Sequence, residues 1–388
     1  MKIQKIEKIM LFSLLRSAVE GGLLSDEEKM LYNEEVLPRI VNMAKQHDVL
    51  HLLALGLKNN NLFDENNKFF QNQIFQAVYR CEQLQYELDS LCEVLEKAKI
   101  PFLPLKGSVL RKYYPEPWMR TSCDIDVLVH QEDLEKAVAH LVETLEYAYD
   151  SKNSHDVSLF SPNGMHIELH YDLVEDNRAN AASKVLEIVW SKVEKRDGFE
   201  YYYEMPDELF YFYHIAHMAK HFENGGCGIR PFIDILILNK KVVFDKEKRE
   251  RLLEQGELLR FANQVELLSE IWFGNAKHTE ITLQMQDYIL QGGVYGTNEN
   301  RIAVQQQKKG GKWKYALSKI FIPYEEIKFH YPILEKHKWL MPIMQVRRWC
   351  KLIFCGHLKR ATRELKYNGS ISKDVAENTK TLLKNIGL

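Results

Sequence analysis

The stretch from Ile100 to Val129 constrains the fold more than any other part of the chain. Ile100 to Leu105 (IPFLPL) is a short apolar run that reads as a buried strand. Lys106-Gly107-Ser108 then turns the chain into VLRKYY, whose apolar spacing predicts one or two helical turns. Beyond Pro115 and Pro117, Asp124-Ile-Asp-Val-Leu-Val129 reads as a second strand. Side chains alternate along a strand, so Asp124 and Asp126 point to one face while Ile125 and Val127 point into a core. Two carboxylates on one strand face repel each other unless a cation sits between them. Oxygen-only ligation from two aspartates suits Mg²⁺, with phosphate oxygens and water completing its shell. A Gly-Ser turn at a helix N-terminus offers N–H groups and a hydroxyl to a phosphate. Strand, turn and strand together predict a nucleoside triphosphate site. The bland alternative is an edge strand with a solvated acidic face.

A third carboxylate weakens that alternative. His155 to Phe160 and Met165 to Tyr171 are two extended-looking runs separated by Pro162-Asn163-Gly164. An Asn-Gly pair between such runs predicts a hairpin. Along the second run His166, Glu168 and His170 share one face, with Ile167 and Leu169 on the other. Taken alone, Glu168 reads equally well as a solvated strand residue. His166-x-Glu168-x-His170 also reads as a metal-ligand cluster. The zinc-peptidase motif HExxH needs histidines one helical turn apart, however, and this spacing differs. No Cys or further acid stands at a suggestive spacing, so hydrogen-bond donors beside a triphosphate are the better reading of these histidines.

The residues LKGSVLRKYYPEP, Arg120, CDIDVLV and the later HIELH resemble the bacterial family described as uncharacterised nucleotidyltransferases, within the superfamily of DNA polymerase beta. The resemblance is strongest from Phe102 to Asp172 and extends more weakly through His214–Asp234 and FIPYEEIKFHYPILEKHKWLMPIMQVRR. The interval from Ser108 to Asp124 is longer than is typical of the superfamily, which predicts an extra loop, Tyr114–Ser122, over the site.

This resemblance implies an α+β fold: a polymerase-beta-like core of a small mixed sheet with helices, flanked by N-terminal and C-terminal helical regions. It implies two Mg²⁺ ions, with Mn²⁺ as a substitute, held by Asp124 and Asp126, and Glu168 as the third acid. Ser108, the backbone near Gly107, Lys106 and Arg120 would grip the β- and γ-phosphates of the NTP, with ATP the expected one. His166, His170, His217, His221 and Asp234 are candidates for lining the cleft.

The rest of the chain divides into four stretches. Residues 1–99 read as helical throughout, with Ser25-Asp-Glu-Glu28 as a capping signature. Residues 100–205 alternate short strands with helices (Gln131–Leu145, Ala182–Val193) and end in an aromatic strand, Phe199–Tyr203. Residues 206–291 are helical again. There His214, His217 and His221 fall on one face, and Asp234 on the next helix is a partner for them. The simpler reading of that set is a His–Asp pair between packed helices; the resemblance favours a helical domain closing the cleft. Residues 292–388 are basic, opening on a glycine-rich polar loop over Gly292–Gly311 and ending in twenty residues expected to fray.

Charge is uneven. Residues 301–388 hold 19 Lys+Arg against 6 Asp+Glu, a net of +13, and the first 300 residues are correspondingly acidic. Such asymmetry predicts either an anionic partner, nucleic acid included, or packing against the chain's own acidic part. The six scattered cysteines form no CxxC pair and fit reduced thiols in a cytoplasmic protein. No run approaches a membrane span, and the N-terminus carries charges that a signal peptide lacks.

The leading expectation is therefore a Mg²⁺-dependent nucleotidyltransferase that moves a nucleoside monophosphate from an NTP to an unidentified acceptor and releases pyrophosphate. An AMP-transferring enzyme acting on proteins and a non-catalytic module binding nucleotide or an anionic partner are the alternatives. Small molecule, sugar, peptide, protein and RNA end all stay open as acceptors.

Overall fold

The computed structural model describes residues 5–63, 67–173, 180–354 and 366–388. The N-terminal stretch is helical, as its spacing predicts: α1 (Lys5–Glu20), α2 (Asp26–Met30), α3 (Val36–Gln46), α4 (Leu50–Asn59) and α5 (Lys68–Lys97). Ser25 and Glu28 form the full reciprocal cap at the start of α2.

The elements that follow are β1 (Phe102–Pro104), α6 (Lys106–Leu110), β2 (Asp124–Val129), α7 (Leu134–Leu145), β3 (Ala148–Lys152), β4 (Asp156–Phe160) and β5 (His166–His170). The strands form one five-stranded mixed sheet in the order β1-β2-β5-β4-β3. β2 and β5 pair in parallel, and the other neighbours are antiparallel. Gly164, at φ +76°, supplies the turn between β4 and β5 that the Asn-Gly pair predicts. One face of the sheet is apolar. Ile125, Val127, Ile167 and Leu169 pack there against Leu84, Leu88, Leu91 and Leu95 of α5 and Leu134, Ala137 and Leu141 of α7. α5 thus belongs to the sheet layer as much as to the N-terminal helices.

After α8 (Ala181–Glu187), the aromatic strand expected at Phe199–Tyr203 shrinks to a two-residue pair, β6 (Glu194–Lys195) with β7 (Tyr203–Glu204). The rings of Phe199 and Tyr202 instead close over the Arg196 guanidinium, a contact that competes with a regular ladder.

The helical body consists of α9 (Asp207–Glu223), α10 (Arg230–Lys241), α11 (Lys246–Gln255), α12 (Leu259–Phe273) and α13 (Glu280–Leu290). A single apolar core runs from α1 and α4 through Leu103, Leu110 and Leu128 into α9, α10, α12 and α13. Phe12 of α1 stacks on Trp272 of α12 with ring centroids 4.3 Å apart.

Two expectations for the C-terminal part are corrected. The glycine-rich stretch contains a helix, α14 (Asn298–Lys308), that buries Ile302, Ala303 and Val304. The last residues do not fray. The helix Lys373–Ile386 sets Leu382, Leu383 and Ile386 on one face, at helical spacing, and docks that face into the main core. Among the described residues, no helix is long and apolar enough to cross a membrane.

Candidate active site

The polar face of the sheet looks toward α9, and strand register sets its contents. Asp126 lies beside Glu168 and Asp124 beside His166 on the parallel β2–β5 pair. On the β5–β4 pair, Glu168 lies beside Ser158 and His170 beside Asp156. With the intervening residues buried in the core, Asp124, Asp126, Glu168 and Asp156 share one face. A cavity of about 340 Å³ opens over it. These four acids and Lys106 line one side, and His217, Lys220 and His221 of α9, with Arg230 at the start of α10, line the other.

The aspartate pair does receive cationic partners. Lys106 Nζ donates to Asp126 Oδ1 at 2.7 Å, and His170 Nε2 donates to the same oxygen at 2.8 Å. Burial opposes ionisation of Asp126, but the Lys106 charge and then the His170 bond hold its carboxyl far below the usual range. Asp124 goes the other way: burial, then the neighbouring Asp126 charge, pushes it up. His170 is buried, which disfavours its charged form, yet its bonds to Asp126 and Glu168 raise it. The backbone of Lys106 has φ +45°, a left-handed conformation that costs a non-glycine residue about 1–3 kcal/mol and is commonly found at functional sites.

The other residues of the Gly-Ser turn divide between two cavities. Gly107 lines the cleft and sits against Ser122, where a Cβ would stand 3.1 Å from that side chain. Ser108 does not line it. Successive helix positions are rotated by about 100°, and the Ser108 hydroxyl falls into a separate cavity beside α5, buried and without a hydrogen-bond partner among the described residues. The serine that lines the cleft is Ser122, whose hydroxyl accepts from Arg111 at 2.7 Å and donates to the Asp124 carbonyl at 3.1 Å.

Arg120 reaches the cleft edge, but its Nε donates to Asp234 Oδ1 at 2.6 Å. Asp234 is wholly enclosed and is absent from the cavity lining. It also accepts from the Tyr114 hydroxyl at 2.7 Å and stands 3.8 Å from His214 Nε2. His214 and Asp234 thus approach each other between packed helices, but the hydrogen bonds to Asp234 come from Arg120 and Tyr114, while His214 Nε2 meets the Pro231 carbonyl at 3.4 Å. Burial opposes the Asp234 charge, while Arg120 and then His214 lower its pKa. The extra loop Tyr114–Ser122 is no flap: Tyr114, Met119, Arg120 and Ser122 are buried, and His51 Nε2 meets the Met119 carbonyl at 2.9 Å.

The histidines separate by depth. His217 and His221 line the cavity; His170 lies beneath it on Asp126. His166 turns to Ser158 Oγ at 2.6 Å and packs on Phe160. Burial, with Lys220 and Lys106 nearby, pushes His221 down to about 4. Burial and Lys106 hold His217 well below the ordinary imidazole value. Burial and the Lys106 charge lower Lys220 to about 8. Near neutrality Lys220 thus keeps its charge while the two histidines are neutral, and Arg230 donates to Asp48 Oδ2 at 2.7 Å.

Sequence reasoning did not select Lys220, Arg230, Ser122, His155 or Asp156. Lys220 carried a signal: it is the one Lys or Arg in α9, on the turn that holds His217 and His221. Asp124, Asp126 and Glu168 offer only oxygen and could hold Mg²⁺; the ligand atoms within 4.8 Å of one another are those of Asp126, Glu168 and His170, and the Lys106 ammonium on Asp126 marks a place where positive charge is favoured.

A family model described as "Uncharacterised nucleotidyltransferase" matches residues 33–274. No curated protein and no solved structure matches the chain.

Proposed function

The chain belongs to the uncharacterised nucleotidyltransferase family, and on that premise we propose that it transfers a nucleoside monophosphate from a Mg²⁺-bound NTP, expected to be ATP, to an acceptor hydroxyl in the cytoplasm. The supporting observation is the pairing of Asp126 with Glu168 across parallel strands, Asp124 beside them, facing Lys220 and Arg230 in one cavity. A small mixed sheet carrying its acids this way fits a core of the DNA polymerase beta kind.

Asp124, Asp126 and Glu168 would hold Mg²⁺, which neutralises triphosphate charge and lowers the pKa of an acceptor hydroxyl. Lys106 and His170 keep Asp126 ionised at any working pH. Lys220 sets positive charge opposite the acids, with the Arg230–Asp48 pair beside it, where a triphosphate gains most from it in a partly enclosed cavity. His217 and His221, neutral, offer hydrogen bonds without adding charge. The acceptor oxygen attacks the α-phosphorus, the bond from that phosphorus to the pyrophosphate oxygen breaks, and the hydroxyl proton passes to Glu168. Catalysis then rests on positioning and charge stabilisation, with no covalent intermediate on the protein.

The test is incubation with each NTP labelled at the α-phosphate, Mg²⁺ and fractionated cell extract. Label should move to one acceptor fraction with equimolar pyrophosphate release, and Asp126→Asn should abolish the transfer. Label on protein would assign the acceptor as a polypeptide. NTP binding without transfer to any fraction, or wild-type turnover by Asp126→Asn, would sink the reading.

A further inference from the structure

At the edge of the same cleft lies a second cluster, of which the transfer reaction uses only the bond from His170 to Asp126. Asp156 opens β4 and faces His170 across the β4–β5 pair. His155 precedes it, and its carbonyl accepts from the Tyr171 N–H at 2.9 Å, which ties this loop to the end of β5. The His155 and His170 rings stack with centroids 5.9 Å apart.

Each of the three side chains has one polar atom already engaged. His155 Nδ1 meets Ser154 Oγ at 3.2 Å, Asp156 Oδ1 accepts from Asn153 Nδ2 at 2.6 Å, and His170 Nε2 is bonded to Asp126. The second atoms remain. His155 Nε2 and Asp156 Oδ2 stand 3.5 Å apart, and His170 Nδ1 is buried with no hydrogen-bond partner among the described residues. Ligand atoms of the three residues all lie within 4.8 Å of one another. Two ligands of one tetrahedral zinc, each about 2.0–2.2 Å from it, stand roughly 3.3–3.6 Å apart, so only a small closure is needed.

We propose that His155, Asp156 and His170 form a binding site for a zinc-class divalent ion at the edge of the cleft, separate from the Asp124, Asp126 and Glu168 set. Two imidazoles and one carboxylate suit zinc with an open fourth position, whereas Mg²⁺ takes oxygen ligands. The engaged atoms are the outer bonds that fix tautomer and ring orientation in such sites. His170 is the shared element: its Nε2–H stays on Asp126 while its Nδ1 turns to the ion. The sequence motif His166-x-Glu168-x-His170 therefore supplies one ligand, and the other two are the first residue of β4 and the residue before it.

The proposal does not depend on the transfer reaction, and its test reads metal alone. Tag-free protein is stripped with chelator, then titrated with Zn²⁺ by calorimetry and with Co²⁺ by visible absorption. One equivalent should bind with Kd at or below about 1 µM, with the intense absorption of tetrahedral cobalt, and millimolar Mg²⁺ should not displace it. His155→Ala and Asp156→Asn should each weaken zinc at least tenfold, while Asp124→Asn and His166→Ala leave it unchanged. His155→Asn provides a second, more conservative variant, and equal metal-free melting temperatures check that the variants are folded. No saturable zinc binding, binding indifferent to both His155 variants and to Asp156→Asn, or loss on Asp124→Asn or His166→Ala would overturn the site.

Discussion

At the scale of single residues, the two strand aspartates are electrostatically unequal, and stability should expose this. Asp124 is raised by burial and by Asp126, so its ionised form opposes folding, and Asp124→Asn should raise the melting temperature at pH 7. Asp126 is bound by Lys106 and His170, so Asp126→Asn should lower it. Breaking a fully enclosed ion pair costs about 3–5 kcal/mol; with Lys106 one-fifth exposed, a loss of roughly 1–3 kcal/mol is expected. The folded-state pKa of Asp126 is depressed. Its contribution is therefore present above the unfolded carboxylate value near 4 and lost as pH falls below it. The deficit of Asp126→Asn should accordingly shrink in acid; denaturant titrations at pH 7 and near pH 3 measure it. Two aspartates with equal effects would contradict this geometry. Lys220, lowered to about 8, makes a second prediction: it loses its charge as pH rises through 8, so KM for Mg·NTP should rise over that interval. Lys220→Arg should flatten this arm of the pH profile, because arginine stays charged.

Among the elements, the glycine turns at the cleft rim carry a prediction of their own. Gly296 has φ +71°, and a Cβ on it would stand 1.9 Å from the Gly225 carbonyl, so the turn after α13 rests directly on the loop between α9 and α10. Tyr295 and Val294 reach the cavity from that turn. Gly296→Ala must separate the two loops and force a left-handed alanine, at a cost of about 1–3 kcal/mol from the backbone alone. The expected result is a lower denaturation midpoint together with a higher KM for NTP; an unchanged midpoint would show that the loops do not touch in solution. This contact was not legible in the sequence, because glycines 71 positions apart give no local sign that they meet. β2, the β4–β5 hairpin and the alternation of Glu168 with Ile167 and Leu169 were legible, since period and turn chemistry are local. β3 was missed because AYDSK is a largely exposed edge strand with no apolar alternation. The placement of Ser108 escaped the motif because the helical turn after Lys106 decides which of three consecutive residues meets the cleft. Arg120 escaped because its partner, Asp234, lies 114 positions along the chain.

For the whole molecule, the question is what the basic C-terminal stretch does, and the structure shifts the balance toward self-packing. Lys308 pairs with Glu223 at the end of α9, and the C-terminal helix inserts Ile386 and Leu383 into the core shared by the N-terminal and α9–α13 helices. Removing residues beyond Gly310 would uncover that apolar face. Burial of each large aliphatic side chain is worth about 1.5–3 kcal/mol, so truncation should lower the melting temperature by many degrees and promote aggregation. An anionic partner is tested separately on the helix Met341–Phe354. Arg348 is held there by the Ile320 and Lys319 carbonyls, so reversing it would mix packing with charge. Arg360, further along the same basic stretch, lies outside the described residues. Arg347→Glu with Lys351→Glu is the cleaner pair, because both are exposed and Arg347 overlies the Tyr331 ring. If an anionic acceptor docks on this helix, the double variant should raise acceptor KM several-fold and flatten the dependence of acceptor KM on salt, because fewer counterions are released on binding. Its melting temperature should stay within a degree or two of wild type. Unchanged acceptor KM and unchanged salt dependence would leave the positive charge of this stretch with no partner outside the chain.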